Sequence, residues 1–362
     1  MERVEKLKKI GKKAGIDAFL VNSDKNMRYF AGFSALAIER FAGIIIPVET
    51  SAPIVVVPKL EEEKAKKYSA FKRIRSYGDS ENPAMLLSQM VKELRLEKAV
   101  FGVEGALAFK FYKMLVGCSP KVRIEDASTF FSQLRSIKSD EELKKMEKAA
   151  SIVAEGIKAG IDFIKPGVNE LAISFQIEKT IKENEGESVP FCIVLSGSNS
   201  ALPHGETSNR KVRKKDVVLM DVGAVYGGYY ADVTRTVFVG EATKKHKKIY
   251  EIVAKAQEVA IKTVRPNVKA EDVDRAARKV IEDAGYGEYF THRTGHGLGL
   301  EVHEEPYIAS GNKTVLKPDM TFTIEPGIYL TGKVGVRIED DVAVSTSKVK
   351  PLSNLSKELL VI

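Results

Sequence analysis

Asp221-Val-Gly-Ala-Val-Tyr-Gly-Gly-Tyr-Tyr-Ala-Asp232 sits between two apolar runs, Val217-Val-Leu-Met220 and Val233 to Val239. Alternating apolar residues around a glycine-bearing centre are a β-hairpin signal. With Tyr226-Gly227 as a two-residue turn, Val225 pairs with Gly228 and Asp221 lies opposite Asp232. Two carboxylates facing each other across a ladder repel and weaken the sheet. A divalent cation between them would remove that penalty. Taken alone, the pair leaves two other readings open: one aspartate faces solvent, or the register differs by one.

The chain downstream favours the cation. His296 lies in Thr294-Gly-His-Gly-Leu-Gly299, Glu325 in Thr321-Phe-Thr-Ile-Glu-Pro-Gly327, and Glu339 in Gly335-Val-Arg-Ile-Glu-Asp340. The last two runs alternate and read as strands with one polar face, so Thr321, Thr323 and Glu325 share a side, as do Arg337 and Glu339. Four carboxylates and one imidazole, with no thiolate, suit Mn, Co, Fe or Zn in a working site better than a structural zinc cage. Four carboxylates also offset the charge of two divalent ions.

These five residues, in this order and these contexts, resemble the metallopeptidases of the pita-bread fold, the group of methionine aminopeptidase, aminopeptidase P and prolidase. The resemblance runs from about Leu134 to the end of the chain and rests on Asp221 and Asp232 eleven residues apart, Gly-His296-Gly, Glu325-Pro-Gly and Arg337-Ile-Glu339. It implies two divalent metal ions, Mn or Co first and Zn or Fe next, held by Asp221, Asp232, His296, Glu325 and Glu339. His204 in Pro-His-Gly and His303 in Glu-Val-His-Glu resemble the family histidines that contact substrate and stabilise the tetrahedral intermediate. Glu325 resembles the residue that shuttles a proton from nucleophile to leaving nitrogen. Two ions about 3.5–4 Å apart can share one water and lower its pKa to near neutral, giving a bridging hydroxide as nucleophile.

The implied reaction is hydrolysis of the Xaa-Pro bond in dipeptides; an Xaa-Pro aminopeptidase acting on longer peptides is the alternative. Non-catalytic and creatinase-type relatives typically lose metal ligands, and this chain keeps all five. One position departs from the prolidase pattern. Prolidases that this chain resembles usually carry an arginine just after a His-Glu-x-Pro turn, and here His303-Glu-Glu-Pro ends in Tyr307. A phenol offers no charge to a substrate carboxylate, and losing a charge-assisted contact costs on the order of 1.5–3 kcal/mol. Arg337, sharing a face with Glu339, would either supply that cation or hold a ligand carboxylate; the partner subunit's Arg40 is a second source. The expectation is therefore weakly bound dipeptides, with short Xaa-Pro-Xaa peptides also accepted.

The 362 residues point to two domains. Their net charge of +8 comes from Lys and Arg interleaved with Glu, as in Glu61-Glu-Glu-Lys-Ala-Lys-Lys67, which reads as a solvated helix face and not as a nucleic-acid surface. Cys118 and Cys192 form no disulfide framework or metal spacing and read as buried thiols. The polar first ten residues do not read as a signal peptide, and no apolar run is long enough to span a membrane. A cytoplasmic protein is expected, and the resemblance adds a homodimer.

Strands at Asp17–Val21, Phe41–Val48, Pro53–Val57 and Ala99–Val103 alternate with helices opened by Val4, Leu7 and Ile10 and later at 59–68, 84–95 and 106–115. That alternation argues a small α/β domain over 1–125; it has no dinucleotide or Walker motif. A linker is expected at 126–138, followed by the catalytic domain at 139–362. Ser139-Asp-Glu-Glu142 is a capping box that opens a long helix; further helices are expected at about 170–184, 243–264 and 270–284. The whole is an α+β chain, a pita-bread domain preceded by a smaller domain of the creatinase type. The small domain marks the prolidase and aminopeptidase P branch. Thr234, two residues beyond Asp232, is placed to hydrogen-bond a ligand carboxylate. His292 is read as structural and His246 as a solvent-exposed helix residue. Gly295, Gly297 and Gly299 are read as giving the backbone unusual angles and a close approach to metal, with a flexible loop as the alternative.

Overall fold

A computed structural model describes residues 2–49, 52–346 and 349–362. The chain divides into two compact units, Met1–Arg135 and Ser136–Ile362. The first is built on a six-stranded sheet in the order β4-β3-β2-β1-β5-β6. Its strands are β1 (Ala18–Val21), β2 (Gly43–Pro47), β3 (Ile54–Pro58), β4 (Arg73–Tyr77), β5 (Val100–Val103) and β6 (Arg123–Asp126). The central strands are wholly apolar and buried, whereas the edges β4 and β6 carry Arg73, Arg75, Arg123 and Glu125 outward. Charged edges discourage pairing with another chain. They also hide these strands from an apolar-run search, and neither was expected. Helices α1 (Glu2–Ala14), α2 (Asp24–Ala31), α3 (Glu62–Tyr68), α4 (Pro83–Glu93), α5 (Phe109–Val116) and α6 (Ser128–Ser136) complete the unit. The segment 126–138, expected as a linker, carries α6 through most of its length.

In the second unit, α7 (Asp140–Phe163) opens on the expected capping box: the Ser139 hydroxyl accepts from the Glu142 N–H, and the Glu142 carboxylate accepts from the Ser139 N–H at 2.8 Å. It pairs with α8 (Glu170–Glu183), and both cover a three-stranded antiparallel sheet of β7 (Ser188–Ser196), β8 (Val217–Tyr226) and β9 (Tyr229–Phe238). Val153, Ile157, Ile173 and Ile177 pack there against Val218, Met220, Val222 and Val233. The plan then repeats. Helices α9 (Lys244–Thr263) and α10 (Ala270–Asp283) cover a sheet in the order β11-β10-β12-β15-β16. Those strands are β10 (Gly295–Gly297), β11 (Glu304–Ile308), β12 (Thr321–Ile324), β15 (Asp340–Val344) and β16 (Val349–Pro351). A separate hairpin, β13 (Gly327–Leu330) and β14 (Val334–Arg337), lies between β12 and β15 in sequence.

The two expected helix pairs match a doubled layout in which no sequence repeat was detected, yet one is visible at the turn inside each pair. Ile164-Lys-Pro-Gly-Val-Asn169 and Val264-Arg-Pro-Asn-Val-Lys269 occupy equivalent places. Each turn puts one residue in the left-handed region, Gly167 at φ 97° and Asn267 at φ 70°. Glycine and asparagine are the residues that accept that conformation most readily.

The β8–β9 register differs from the expectation. Gly227 and Gly228 form the turn, at φ 58° and 81°, and Tyr226 pairs with Tyr229. Asp221 therefore faces Thr234, and Asp232 faces Gly223. A tight turn that twists with its strands needs positive φ at both central residues, which Gly-Gly supplies and Tyr-Gly does not. Because the shift is even, both aspartates keep the same face and become diagonal neighbours.

Candidate metal centre

Short connections and crowded strands bring the acidic residues together. Asp221 projects from β8 and Asp232 from β9. Glu325 and Glu339 do not sit within strands: each falls in a two-residue connection, after β12 and after β14. Backbone contacts fix both, since the Glu325 N–H donates to the Thr294 carbonyl at 2.8 Å and the Glu339 N–H to the Thr234 carbonyl at 3.1 Å. His296 lies mid-strand in β10. A Cβ at Gly295 would stand 1.9 Å from the Thr323 carbonyl oxygen, and one at Gly297 would stand 2.4 Å from that of Glu305. Gly295, Gly297 and Gly299 all lie outside the positive-φ set. Gly295 and Gly297 are required because neighbouring backbones press on them, and Gly299 because the Glu304 and Lys138 side chains crowd it, not for unusual angles or loop flexibility.

The result is a cavity of about 490 Å³ whose lining includes Asp221, Asp232, His296, Glu325 and Glu339 together with His204, His303 and Arg337. Donor atoms of Asp232, His296 and Glu339 all lie within 4.8 Å of one another. His296 Nε2 is 3.6 Å from Asp232 Oδ2 and 3.4 Å from Glu325 Oε1, too far for good hydrogen bonds. Its Nδ1 is 3.1 Å from the Gly297 carbonyl, which assigns the proton to Nδ1 and leaves Nε2 as a lone pair. Burial, and next the neighbouring His303, push this imidazole down to about 3, so it is neutral.

A fit to cations follows from what the carboxylates lack. Asp221 Oδ1, Asp232 Oδ1 and Glu339 Oε1 are buried oxygens with no hydrogen-bond partner. Buried charges of one sign without partners are costly. Burial, reinforced by the other carboxylates, accordingly raises Asp232 and Glu339 well above the usual range, and burial raises Glu325 to about 7. A neutral imidazole lone pair grouped with Asp232 and Glu339, in a cavity that Asp221 and Glu325 also line, forms a donor set for divalent metal.

The remaining oxygens are held from behind. The Thr234 hydroxyl donates to Glu339 Oε2 at 2.5 Å, and the Asp232 N–H donates to Asp341 Oδ2 at 3.0 Å. Arg337 is fully engaged inside the protein: Nη2 donates to Asp221 Oδ2 at 2.6 Å, Nε to Thr234 Oγ1 at 3.1 Å and Nη1 to the Tyr329 hydroxyl at 3.0 Å. That hydroxyl in turn donates to His292 Nε2 at 2.9 Å, which leaves His292 Nδ1–H to donate to the Arg293 carbonyl at 2.7 Å. Burial, with Arg337 close by, lowers His292 to about 4.

His303 stacks edge-on to His296, with ring centroids 4.1 Å apart, and burial lowers its pKa. His204 comes to the same cavity from the segment after β7. Glu170, at the start of α8, anchors that segment by accepting from the Ser196 and Ser208 N–H groups at 2.6 and 3.0 Å. Tyr307 is not among the lining residues; its ring carries the Arg293 guanidinium, 4.4 Å from the centroid. His246 is half-buried and stacks on Phe238, so it is not the open surface residue expected. Both cysteines are free; Cys118 is buried, while Cys192 is partly covered and its thiol is pushed up to about 12 by burial. Sequence reading missed Arg293, Tyr329 and Asp341. Arg293, between His292 and the His296 motif, was the one with a visible signal: a cation adjoining a metal-type histidine.

No helix among the described residues is long and apolar enough to cross a membrane. Residues 144–346 match the model of metallopeptidase family M24, and residues 3–137 match that of the creatinase/prolidase N-terminal domain. The Xaa-Pro dipeptidase of Pyrococcus furiosus is 36% identical over 360 residues, 99% of each chain. The crystal structure of a prolidase from Thermococcus sibiricus superposes with a TM-score of 0.93 at 41% identity, covering 99% of this chain and 98% of that one. An X-Pro aminopeptidase from Thermotoga maritima gives 0.89 at 32% identity, covering 99% of each. With its pita-bread unit and its smaller N-terminal unit, this chain belongs to metallopeptidase family M24.

Proposed function

We propose that the protein hydrolyses the Xaa-Pro bond of dipeptides, using two divalent ions held by Asp221, Asp232, His296, Glu325 and Glu339. The observation that carries this is that Asp221, Asp232 and Glu339, each with a buried oxygen that has no partner, line one cavity with a neutral His296, and that donor atoms of Asp232, Glu339 and His296 lie within 4.8 Å of one another. Names of relatives support the substrate class: a Pyrococcus protein is called an Xaa-Pro dipeptidase and a Thermococcus protein a prolidase.

When bound, the ions supply Lewis-acid polarisation of the scissile carbonyl and an activated water. The chain's own residues do the rest. Phe191, Ile193, Pro203 and Val302 give the cavity an apolar wall suited to a proline ring. His303 and His204 line the cavity as N–H donors for the oxygen that gains charge. Glu325 carries the proton that the departing imide nitrogen requires. Arg337 and Thr234 keep Asp221 and Glu339 aimed inward. Mn or Co is the expected metal, with Zn or Fe next, and a homodimer is expected from family resemblance.

The alternative, an Xaa-Pro aminopeptidase for longer peptides, draws support from the Thermotoga X-Pro aminopeptidase and from the uncharged residue at position 307. Assay of Leu-Pro against Leu-Pro-Gly with Mn or Co decides between them. The proposal expects Leu-Pro to be cleaved, with the tripeptide also accepted. Cleavage of the tripeptide alone would replace it with the aminopeptidase.

A further inference from the structure

A dipeptide brings a free carboxylate into a cavity floored by carboxylates, so a cation must meet it. Arg337 is not available, because its three nitrogens are held by Asp221, Thr234 and Tyr329. Arg40 is tied to Asp79 through two hydrogen bonds, at 2.7 and 3.1 Å, and to Glu39 at 2.8 Å. Arg293 differs from both. It lines the cavity, is half-buried, and among the described residues its guanidinium has no hydrogen-bond or ion-pair partner.

The side chain is nonetheless placed. Its guanidinium lies on the face of Tyr307, a residue fixed in β11. Its carbonyl is held by His292, which Tyr329 and Arg337 orient in turn. A stacked guanidinium keeps its planar fork of donors free for a carboxylate, and stacking reduces the rotamer freedom lost on binding. Position 307 thus regains, from elsewhere in the sequence, the cation that its tyrosine lacks.

We propose that Arg293, carried on the ring of Tyr307, anchors the C-terminal carboxylate of the dipeptide. This rests on the Xaa-Pro reading above. Loss of the anchor weakens binding of dipeptides that end in a free carboxylate and spares substrates without that charge.

The test is steady-state kinetics of the Mn-loaded protein on Leu-Pro, Leu-Pro amide and Asp-Pro, with metal content and circular dichroism as controls for folding. Arg293→Met should raise KM for Leu-Pro at least about tenfold, with kcat changed less than about threefold and the amide unaffected. Arg293→Lys should recover part of the loss, because it restores charge without the fork. Tyr307→Leu should fall between wild type and Arg293→Met. Equal losses on Leu-Pro and its amide would make Arg293 structural and overturn the proposal. Loss confined to Asp-Pro would move the guanidinium to the side chain of the first residue and also overturn it. A wild type that cleaves Leu-Pro, with an Arg293→Met variant of unchanged KM, defeats the anchor alone. A wild type that cleaves no Xaa-Pro substrate with Mn or Co defeats the functional reading, and the anchor with it.

Discussion

Arg337 and Asp221 meet at 2.6 Å inside the cavity, and the second oxygen of Asp221 is buried without a partner. The arginine thus fixes one carboxylate oxygen and leaves the other for the metal that the proposal places in this cavity. Arg337→Met should lower metal affinity and turnover by about 10–100-fold. Titration of the stripped variant with Mn, read by activity and by isothermal calorimetry, measures both. Wild-type metal affinity in this variant would show that the pair does not orient Asp221.

Thr234 does the same for Glu339, through a single hydroxyl. Thr234→Val keeps the shape and removes the donor. A hydrogen bond to a charged acceptor contributes on the order of 1.5–3 kcal/mol, so metal affinity should fall about tenfold or more while the fold survives. An unchanged affinity would place the hydroxyl outside the metal's support.

Gly295 has a steric role that needs no metal. Its added Cβ would lie 1.9 Å from the Thr323 backbone oxygen, and a backbone atom cannot swing aside. Gly295→Ala should destabilise the protein by on the order of 3 kcal/mol, measured by urea unfolding of metal-free protein. A loss below about 0.5 kcal/mol would mean that β10 and β12 can separate at little cost.

Metal and protons compete for the same carboxylates. In the metal-free protein, burial raises Glu325 from 4.5 to about 7, so the folded state binds the extra proton and stability falls as pH rises through that window. Asp232, raised by burial and then by the charge of Glu339, and Glu339, raised by burial and then by the charge of Glu325, act in the same direction. His292 and His296, lowered by burial to about 4 and about 3, act oppositely: stability rises with pH until their unfolded value of 6.5 is passed. Above 6.5 only the carboxylate effect remains. The Tm of chelated protein should therefore fall from pH 6.5 to about pH 8, while that of Mn-loaded protein holds. Scanning fluorimetry with and without chelator reads the difference; an equal metal-induced gain at both pH values would contradict it.

Much of this site was legible because chemistry demanded particular residue types. Four carboxylates and a histidine in flanking Gly and Pro contexts point to metal before any coordinates. The long helices announced themselves through apolar spacing and, at Ser139, a cap. What stayed hidden has physical causes. Tyr226-Gly227 and Gly227-Gly228 both lie between the two apolar runs, and only the second supplies two residues that take positive φ readily. Polar edge strands such as Arg73–Tyr77 lack the apolar signal of their neighbours. Tyr329 and Asp341 act through contacts between segments far apart in sequence, to which local spacing is blind.

His303→Ala and Glu325→Gln should both leave the fold intact and reduce kcat by about 10²–10⁴-fold, since the proposed mechanism has each act on the transition state. Circular dichroism and Leu-Pro turnover check the pair. Unchanged turnover in His303→Ala would reassign His303 to a structural role.

The central claim is that paired metals at these five residues do the hydrolysis. Its most direct test is Leu-Pro turnover of exhaustively stripped protein, titrated with Mn and followed by elemental analysis. The account predicts no activity without metal, and activity that rises to a plateau at two equivalents per chain. Full activity in protein shown to be metal-free would contradict it.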